Sequence, residues 1–294
     1  MDNIIIIGSG PAGISSALYT LRAGIKTTII STGKSALDTA KEVENYYGFT
    51  NPITGPTLLA DGIAQAKRLG AEIITDATTG EIVAIEEDDK GEGFIVKTLK
   101  TSYNARVAIL ATGSSRTKPK WEGIDTYDGM GVSYCAVCDG FFFRGKDVAV
   151  AGNGAYALHE AQALLPIVGS VTLCTDGLPL TAEFPKEIKI VDTSVASLGG
   201  DGAISSIKFK DGTSLDISAL FVAMGTAGSS ELAKAVGADV KNNDIVVDSN
   251  MCTSIPGLFA AGDCTGGMKQ IAKAVYEGAV AGTQAVKIIQ KQKI

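Results

Sequence analysis

Ile4 to Ile7 form an unbroken apolar run after Asn3, a pattern that suits a strand buried on both faces rather than a half-solvated one. Gly8-Ser9-Gly10-Pro11-Ala12-Gly13 follows. Ile14, Ala17, Leu18 and Leu21 then recur at helical spacing, Gly24 stops the helix, and residues 26–30 predict a second strand. Strand, glycine turn, helix and strand in this order make a right-handed parallel unit. The pattern returns later. Residues 147–151 predict a strand, Gly152-Asn153-Gly154-Ala155-Tyr156-Ala157 a turn, residues 155–168 a helix ended by Gly169, and residues 171–175 the next strand. Two copies, each flanked by strand and helix, predict an α/β chain with two doubly wound nucleotide-binding-type domains.

Between the copies the pattern changes to short strands, at residues 81–86, 93–99 and 103–110, with Asp88-Asp89-Lys90-Gly91 as a turn. After the second copy, residues 204–209 and 215–223 read as a hairpin around Asp211-Gly212. Residues 108–113 and 221–225 each end a strand in a small residue and glycine, which marks crossings between domains. Residues 270–289 predict a helix with Ile271, Val275, Gly278, Gly282, Val286 and Ile289 on one stripe. Its small residues predict close packing against a sheet or a ligand.

Composition narrows the function classes. Charged residues are 20% and apolar ones 45% of the 294, which excludes disorder as a description of the whole chain. No run of about 18 apolar residues exists, so no membrane span is expected. The start has no basic region and no cleavable apolar stretch, unlike a signal peptide. Thirty-two acidic against 26 basic residues give a net charge of −6, which argues against binding nucleic acid or a membrane surface. Glycine is abundant, 35 residues, as tight turns and close backbone approach require. Five cysteines and one histidine offer no metal-ligand spacing, so no metal site is expected. The odd cysteine count points to a reducing compartment, the cytoplasm.

The first glycine turn carries a physical logic. Gly8 allows the tight turn, Gly10 lets the backbone approach a pyrophosphate, and Gly13 lets helix and strand pack closely. Free N–H groups and the positive dipole end of the helix then face the phosphates. The usual ribose-binding acid is missing. Ser31 and Thr32 occupy that strand end, so a hydroxyl or a water serves instead. At the second turn Ala157 replaces the third glycine, which is tolerated. An NADP site also needs a base after the next strand, where this chain has Cys174-Thr175-Asp176-Gly177-Leu178-Pro179. Asp176 would repel a 2′-phosphate. The five arginines are Arg22, Arg68, Arg106, Arg116 and Arg144, and none follows. The second turn therefore looks unsuited to NADPH. Asp176 could suit NADH, although a solvated turn residue is the plainer reading.

Cys135-Ala136-Val137-Cys138-Asp139-Gly140 is the most chemical stretch. Its spacing lets a disulfide close within a turn, and lets one thiolate be stabilised by its neighbour and by helix N–H groups. A metal would need two more ligands, and His159, Cys174, Cys252 and Cys264 show no matching spacing. Two structural cysteines remain an alternative. Asp139 argues against it, since a carboxyl beside a dithiol can shuttle the proton that thiolate chemistry requires. Cys174, Cys252 and Cys264 read as structural.

Taken together these motifs resemble the low-molecular-weight thioredoxin reductase family over almost the whole chain. Gly8-Ser9-Gly10-Pro11-Ala12-Gly13 matches its FAD turn, and Glu42-Val43-Glu44-Asn45-Tyr46 its segment before the flavin. Ala111-Thr112-Gly113 matches the strand end closing the FAD domain, and residues 135–140 the redox motif. Ala260-Ala261-Gly262-Asp263 with Lys269-Gln270-Ile271-Ala272 matches the second flavin motif. NADPH-using members resemble a Gly-x-Gly-x-x-Ala turn followed by a His-Arg-Arg run, where this chain has Thr175-Asp176-Gly177. That departure resembles the NADPH-independent branch, notably the ferredoxin-dependent flavin thioredoxin reductases.

The resemblance implies a discontinuous FAD domain, residues 1–114 and 244–294, with a redox domain inserted at 115–243. It implies that Asp263 binds the ribityl chain, that Cys138 faces the flavin and that Cys135 attacks the substrate disulfide, with Asp139 as acid/base. It implies thioredoxin as partner, reduced ferredoxin as donor and a homodimer. Phe141-Phe142-Phe143 cannot all face one core, so at least one serves partner docking. Arg116, Lys118, Lys120, Arg144 and Lys146 are candidates for a basic donor-docking patch. The alternatives are an NADH- or NADPH-dependent reductase and, from another class, a flavoprotein redox sensor without turnover.

Overall fold

The computed structural model describes residues 3–75, 81–113, 118–225 and 227–291. Arg116, one of the candidate basic residues, lies outside them. In chain order the elements begin with β1 (Asn3–Ile7), α1 (Pro11–Arg22), β2 (Lys26–Ile30), α2 (Gly55–Arg68) and β3 (Glu72–Ile74). Then come β4 (Ile82–Glu87), β5 (Phe94–Thr98), β6 (Ser102–Ala105), β7 (Val107–Leu110), β8 (Val132–Ser133) and α3 (Ala136–Asp139). The second glycine turn joins β9 (Asp147–Ala151) to α4 (Ala155–Leu164), before β10 (Ser170–Cys174) and β11 (Lys189–Val191). The chain goes on through β12 (Val195–Gly199), β13 (Ser206–Phe209), β14 (Ser214–Asp216) and β15 (Ala219–Val222). It ends with α5 (Ser229–Ala235), β16 (Val240–Lys241), β17 (Asp244–Ile245), β18 (Leu258–Ala260) and α6 (Ile271–Lys291).

These elements form two compact units, Met1–Ser115 with Gly228–Ile294, and Arg116–Ala227. The return to the first unit falls at 227/228 and not at 243/244, because α5 packs on β4 and β17. In the first unit a parallel sheet runs in the order β18-β7-β1-β2-β3, beside an antiparallel meander β4-β5-β6. In the second the parallel order is β11-β10-β9-β15-β8, with a meander β12-β13-β14. Both parallel sheets are centred on the strand that precedes a glycine turn.

Two readings of the pattern differ from the structure in the same way. Residues 103–110 and 215–223 each read as one strand. Each is two, the first half closing a meander and the second entering a parallel sheet. Only Arg106 separates the halves in the first case and Ile217-Ser218 in the second, breaks too short for periodicity to mark the change of partner. Helix α4 ends at Leu164 rather than at residue 168, since Pro166 has no amide to continue the helical hydrogen bonds.

The first unit is closed by a contact between its two ends. Helix α6 buries Ala274, Gly278, Ala281, Gly282, Ala285 and Ile289, with Ile271, Val275 and Val286 half-buried beside them. This stripe lies on α1. A Cβ on Gly278 would stand 2.2 Å from the Ala12 carbonyl oxygen, and one on Gly282 2.5 Å from that of Ser16. Ser15 Oγ donates to the Val275 carbonyl at 2.7 Å and Ser16 Oγ to that of Gly278 at 3.0 Å. Gly278→Ala should therefore cost about 1–3 kcal/mol of stability. A urea titration should show the loss, with exposed Lys287→Ala within about 0.5 kcal/mol of wild type as the control.

Candidate active site

The first glycine turn is built by backbone approach. Gly8 has φ +113°, and its Cβ would stand 2.2 Å from the Ala111 carbonyl oxygen. The Gly13 Cβ would meet the Gly8 carbonyl oxygen at 1.9 Å. Gly10 is different, since its Cβ would meet only Ser35 Oγ, at 3.9 Å. Gly8 and Gly13 are thus glycine for internal packing, whereas Gly10 faces open space in which a ligand's phosphates can reach the backbone. Pro11 starts α1 with its missing amide at no cost. Ala12 is buried, and Ser9 Oγ bonds Ser31 Oγ at 2.8 Å. Ser31 also accepts the Gly33 amide at 3.0 Å, so its hydroxyl is committed to the framework.

Of the other predicted cofactor residues, Ala111 and Gly262 lie against this turn. Ala111 follows β7 and donates its amide to the Ile7 carbonyl at 2.8 Å. Thr112 Oγ1 bonds Ser229 Oγ, and Gly113 takes φ +76°. Gly262, at φ +89°, sits so close to the start of α1 that its Cβ would be 2.9 Å from Ala12 Cβ. Asp263 opens the short helical turn Asp263–Thr265 beyond it. Asn45 Nδ2 donates to Gln270 Oε1 at 2.8 Å across 225 residues of chain. Lys269 and Ala272 are exposed and Ile271 half-buried at the start of α6.

One polar cluster here escaped the sequence reading. Glu277 Oε2 accepts the Gly262 amide at 2.8 Å and the Thr265 hydroxyl at 2.8 Å. Lys273 Nζ donates to Glu277 Oε2 at 3.0 Å and to the Gly262 carbonyl at 2.9 Å. This buried pair pins both backbone groups of Gly262 to α6. The signal was a glutamate on a stripe of small buried residues.

In the second unit Cys135 and Cys138 are joined as a disulfide, their Cα atoms 5.3 Å apart. Cys135 caps α3, and the Cys138 amide donates to its Sγ at 3.2 Å. Asp139 Oδ2 accepts from Ser133 Oγ at 2.6 Å, and that oxygen accepts the Cys135 amide at 3.2 Å. Asp139 is thus linked through one hydroxyl to the backbone of Cys135. Cys138 is exposed, whereas Cys135 is only 6% exposed. Val137, Phe141 and Phe142 are 60%, 68% and 72% exposed, while Phe143 meets Phe221 edge-on at 5.9 Å. Arg144 lies 5.5 Å from the centre of the Phe141 ring.

The remaining cysteines are of another kind. Burial pushes the Cys264 thiol up to about 12, and burial with the nearby Asp176 charge pushes Cys174 to about 12. Both stay protonated and unreactive near neutrality. Among the described residues no group of three or more His, Cys, Asp or Glu side chains could hold a metal, and no helix is long and apolar enough to cross a membrane.

The second glycine turn is bonded to its own chain. Gly152 matches Gly8, its Cβ lying 2.3 Å from the Ala223 carbonyl oxygen. Asn153 Nδ2 donates to the Pro179 carbonyl at 2.7 Å, and the Thr181 amide to the Asn153 carbonyl at 2.8 Å. Where Gly10 faces open space, a Cβ on Gly154 would meet Thr181 Oγ1 at 2.9 Å. Asp176 is no solvated turn residue. It is half-buried at φ +54°, accepting the Trp121 indole N–H at 3.1 Å and the Val195 amide at 2.7 Å.

The pyridine nucleotide-disulphide oxidoreductase family matches residues 2–278. A thioredoxin reductase of Streptomyces coelicolor is 37% identical over 280 residues, covering 89% of this chain and 85% of that one. The chain belongs to the low-molecular-weight thioredoxin reductase family. It is a flavoprotein disulfide reductase with FAD as its cofactor. Among solved structures, the atypical thioredoxin reductase TRi of Desulfovibrio vulgaris Hildenborough superposes with a TM-score of 0.90 at 40% identity, covering 99% of both chains. A ferredoxin-flavin thioredoxin reductase of Clostridium acetobutylicum gives 0.68 at 32% identity, covering 99% of this chain and 98% of that one.

Gly10 supplies the fit test for FAD, as the one glycine of the first turn whose Cβ direction is open. Gly10→Val should remove bound flavin, read as loss of visible absorbance in the purified protein, with the far-ultraviolet spectrum unchanged.

Proposed function

We propose that this chain reduces the disulfide of thioredoxin through Cys135 and Cys138, and that reduced ferredoxin rather than NADPH supplies the electrons. Gly8 to Gly13, Asn45, Ala111 to Gly113, Gly262, Asp263 and residues 269–272 would hold FAD, which supplies two-electron reduction of the Cys135–Cys138 disulfide. The disulfide takes up two electrons and two protons. Asp139, linked through Ser133 to the Cys135 backbone, carries a proton to or from a thiol. A thiolate then attacks the thioredoxin disulfide, expels one of its sulfurs as thiolate and forms a mixed disulfide. The second thiol displaces it, leaving reduced thioredoxin and the closed Cys135–Cys138 bond. Val137, Phe141 and Phe142 offer exposed apolar surface beside the sulfurs for the partner.

The observation that carries the donor reading is the second glycine turn. The segment at Pro179 and Thr181 bonds to Asn153 and stands against Gly154, where a nucleotide's pyrophosphate would need the backbone. Asp176 adds a carboxylate near the place of a 2′-phosphate, and no arginine follows Arg144. Losing a charge-assisted contact of that kind forfeits about 1.5–3 kcal/mol. Ferredoxin docking relies on the exposed Lys120, Arg144 and Lys146. Lys118 is already neutralised by Asp125 at 2.6 Å and Asp128 at 2.9 Å, which raise its pKa above the ordinary lysine range. A nicotinamide donor is the second reading, favoured by the preserved strand, glycine turn and helix at β9 and α4. NADH, without the 2′-phosphate, is its stronger form.

Anaerobic flavin spectra with each donor decide between them. Reduced ferredoxin should bleach the flavin within the time of turnover, and neither NADPH nor NADH should do so. Rapid bleaching by micromolar NADPH would overturn the donor assignment while leaving the disulfide chemistry intact.

The roles of the two sulfurs need a separate test, because the exposed one is Cys138. An attacking Cys135 must emerge once its bond to Cys138 opens. Cys138→Ser should trap thioredoxin as a mixed disulfide visible on a non-reducing gel, and Cys135→Ser should not. The opposite pattern would exchange the roles.

A further inference from the structure

Helix α4 occupies the place of a nucleotide-binding helix, yet one of its faces is given to the redox motif. Tyr156, Glu160 and Leu164 recur at four-residue spacing and so share a face. Tyr156 Oη donates to the Tyr134 carbonyl at 2.9 Å. Glu160 Oε2 accepts the Ala136 amide at 2.5 Å. Leu164 Cδ2 lies where a Cβ on Gly140 would meet it at 2.9 Å. The three contacts grip the residue before Cys135, the residue after it and the residue after Asp139.

The middle contact is the one that packing alone does not explain. Glu160 is only 5% exposed, and burying a carboxylate is costly unless its oxygens are satisfied. An apolar residue would complete the same stripe. The Ala136 amide, for its part, belongs to the first turn of α3, where an N–H has no acceptor inside the helix. Glu160 supplies that acceptor from a different element.

We propose that Glu160 is a positioning residue for thiol–disulfide exchange. By holding the Ala136 amide it keeps the turn from Cys135 to Cys138 in the geometry that closes the disulfide, and so sets the balance between disulfide and dithiol. The proposal rests on the redox role of the cysteine pair. Forming the S–S bond from two thiols releases two electrons and two protons, and its ease depends on how often the two sulfurs meet. A pinned turn holds the Cα atoms at 5.3 Å, inside the range that a disulfide requires. A released turn samples wider separations, which favours the dithiol and makes it the weaker reductant.

The test uses the whole flavoprotein as wild type, Glu160→Gln and Glu160→Leu. Each is equilibrated in buffers of oxidised and reduced dithiothreitol, and the state of Cys135 and Cys138 is read by alkylation and peptide mass. Glu160→Leu removes the acceptor and should move the equilibrium toward dithiol about tenfold, or about 30 mV. Glu160→Gln keeps an acceptor oxygen and should stay within about twofold of wild type. No movement in Glu160→Leu, or an equal movement in both variants, overturns the proposal. A second measurement needs no variant. In wild type the Ala136 amide should exchange with solvent at least about a hundredfold slower than an open amide, in oxidised and reduced protein alike. Exchange at the open rate overturns the proposal even if Glu160→Leu does not fold. A wild-type pair that ignores the buffers would instead refute the redox role itself, so the two failures are distinguishable.

Discussion

The fold depends on one steric constraint, applied twice. In each unit the chain leaves the central strand of a parallel sheet and must pass so close to a neighbouring segment that no side chain fits. Gly8 meets the carbonyl after β7, and Gly152 meets the carbonyl after β15. Everything downstream takes its direction from these points, including the angle of α1 and α4 over their sheets. Any larger residue would collide with backbone, which has nowhere to relax.

From this common frame the two units diverge. In the first, the second residue of the pair, Gly10, faces open space. In the second, Gly154 stands against Thr181, and the helix that follows carries Tyr156 and Glu160 toward the cysteine turn. One supersecondary pattern thus leaves an open turn at the helix start in one copy and supports the cysteine turn in the other. The difference lies in a few side chains, consistent with function residing in sites rather than in folds.

Much of this was legible in the sequence, because buried parallel strands and glycine turns leave strong local signals. The apolar runs at Ile4–Ile7 and Val148–Ala151, the glycines after them and the Cys135–Cys138 spacing need no tertiary information. What stayed hidden depends on partners distant in sequence. Residues 103–110 gave no sign that Val107 changes sheets after Ala105. Strand β12 went unread because Ala196 and Ser197 blur its alternation. Nothing in the sequence singles out Glu160 or Glu277, because the backbone amides of Ala136 and Gly262 that they accept lie on other elements. Asp176 read as a turn residue for the same reason, since Trp121 and Val195 lie far from it along the chain.

The clasp between α1 and α6 also bears on how the molecule is made. Ser15 bonds a carbonyl 260 residues away, so the first unit is stitched together by the most distant parts of its sequence. During synthesis β1, α1 and β2 emerge early, but β18 and α6 arrive only at the end. The inserted unit is complete by residue 227 and can collapse while the earlier segments still wait for their last strand and helix. The long loop that must close gives the outer unit a high contact order and a slow final step. The cradle proposed for FAD, which draws on both segments of the outer unit, is thereby assembled only after the disulfide-bearing unit has been synthesised.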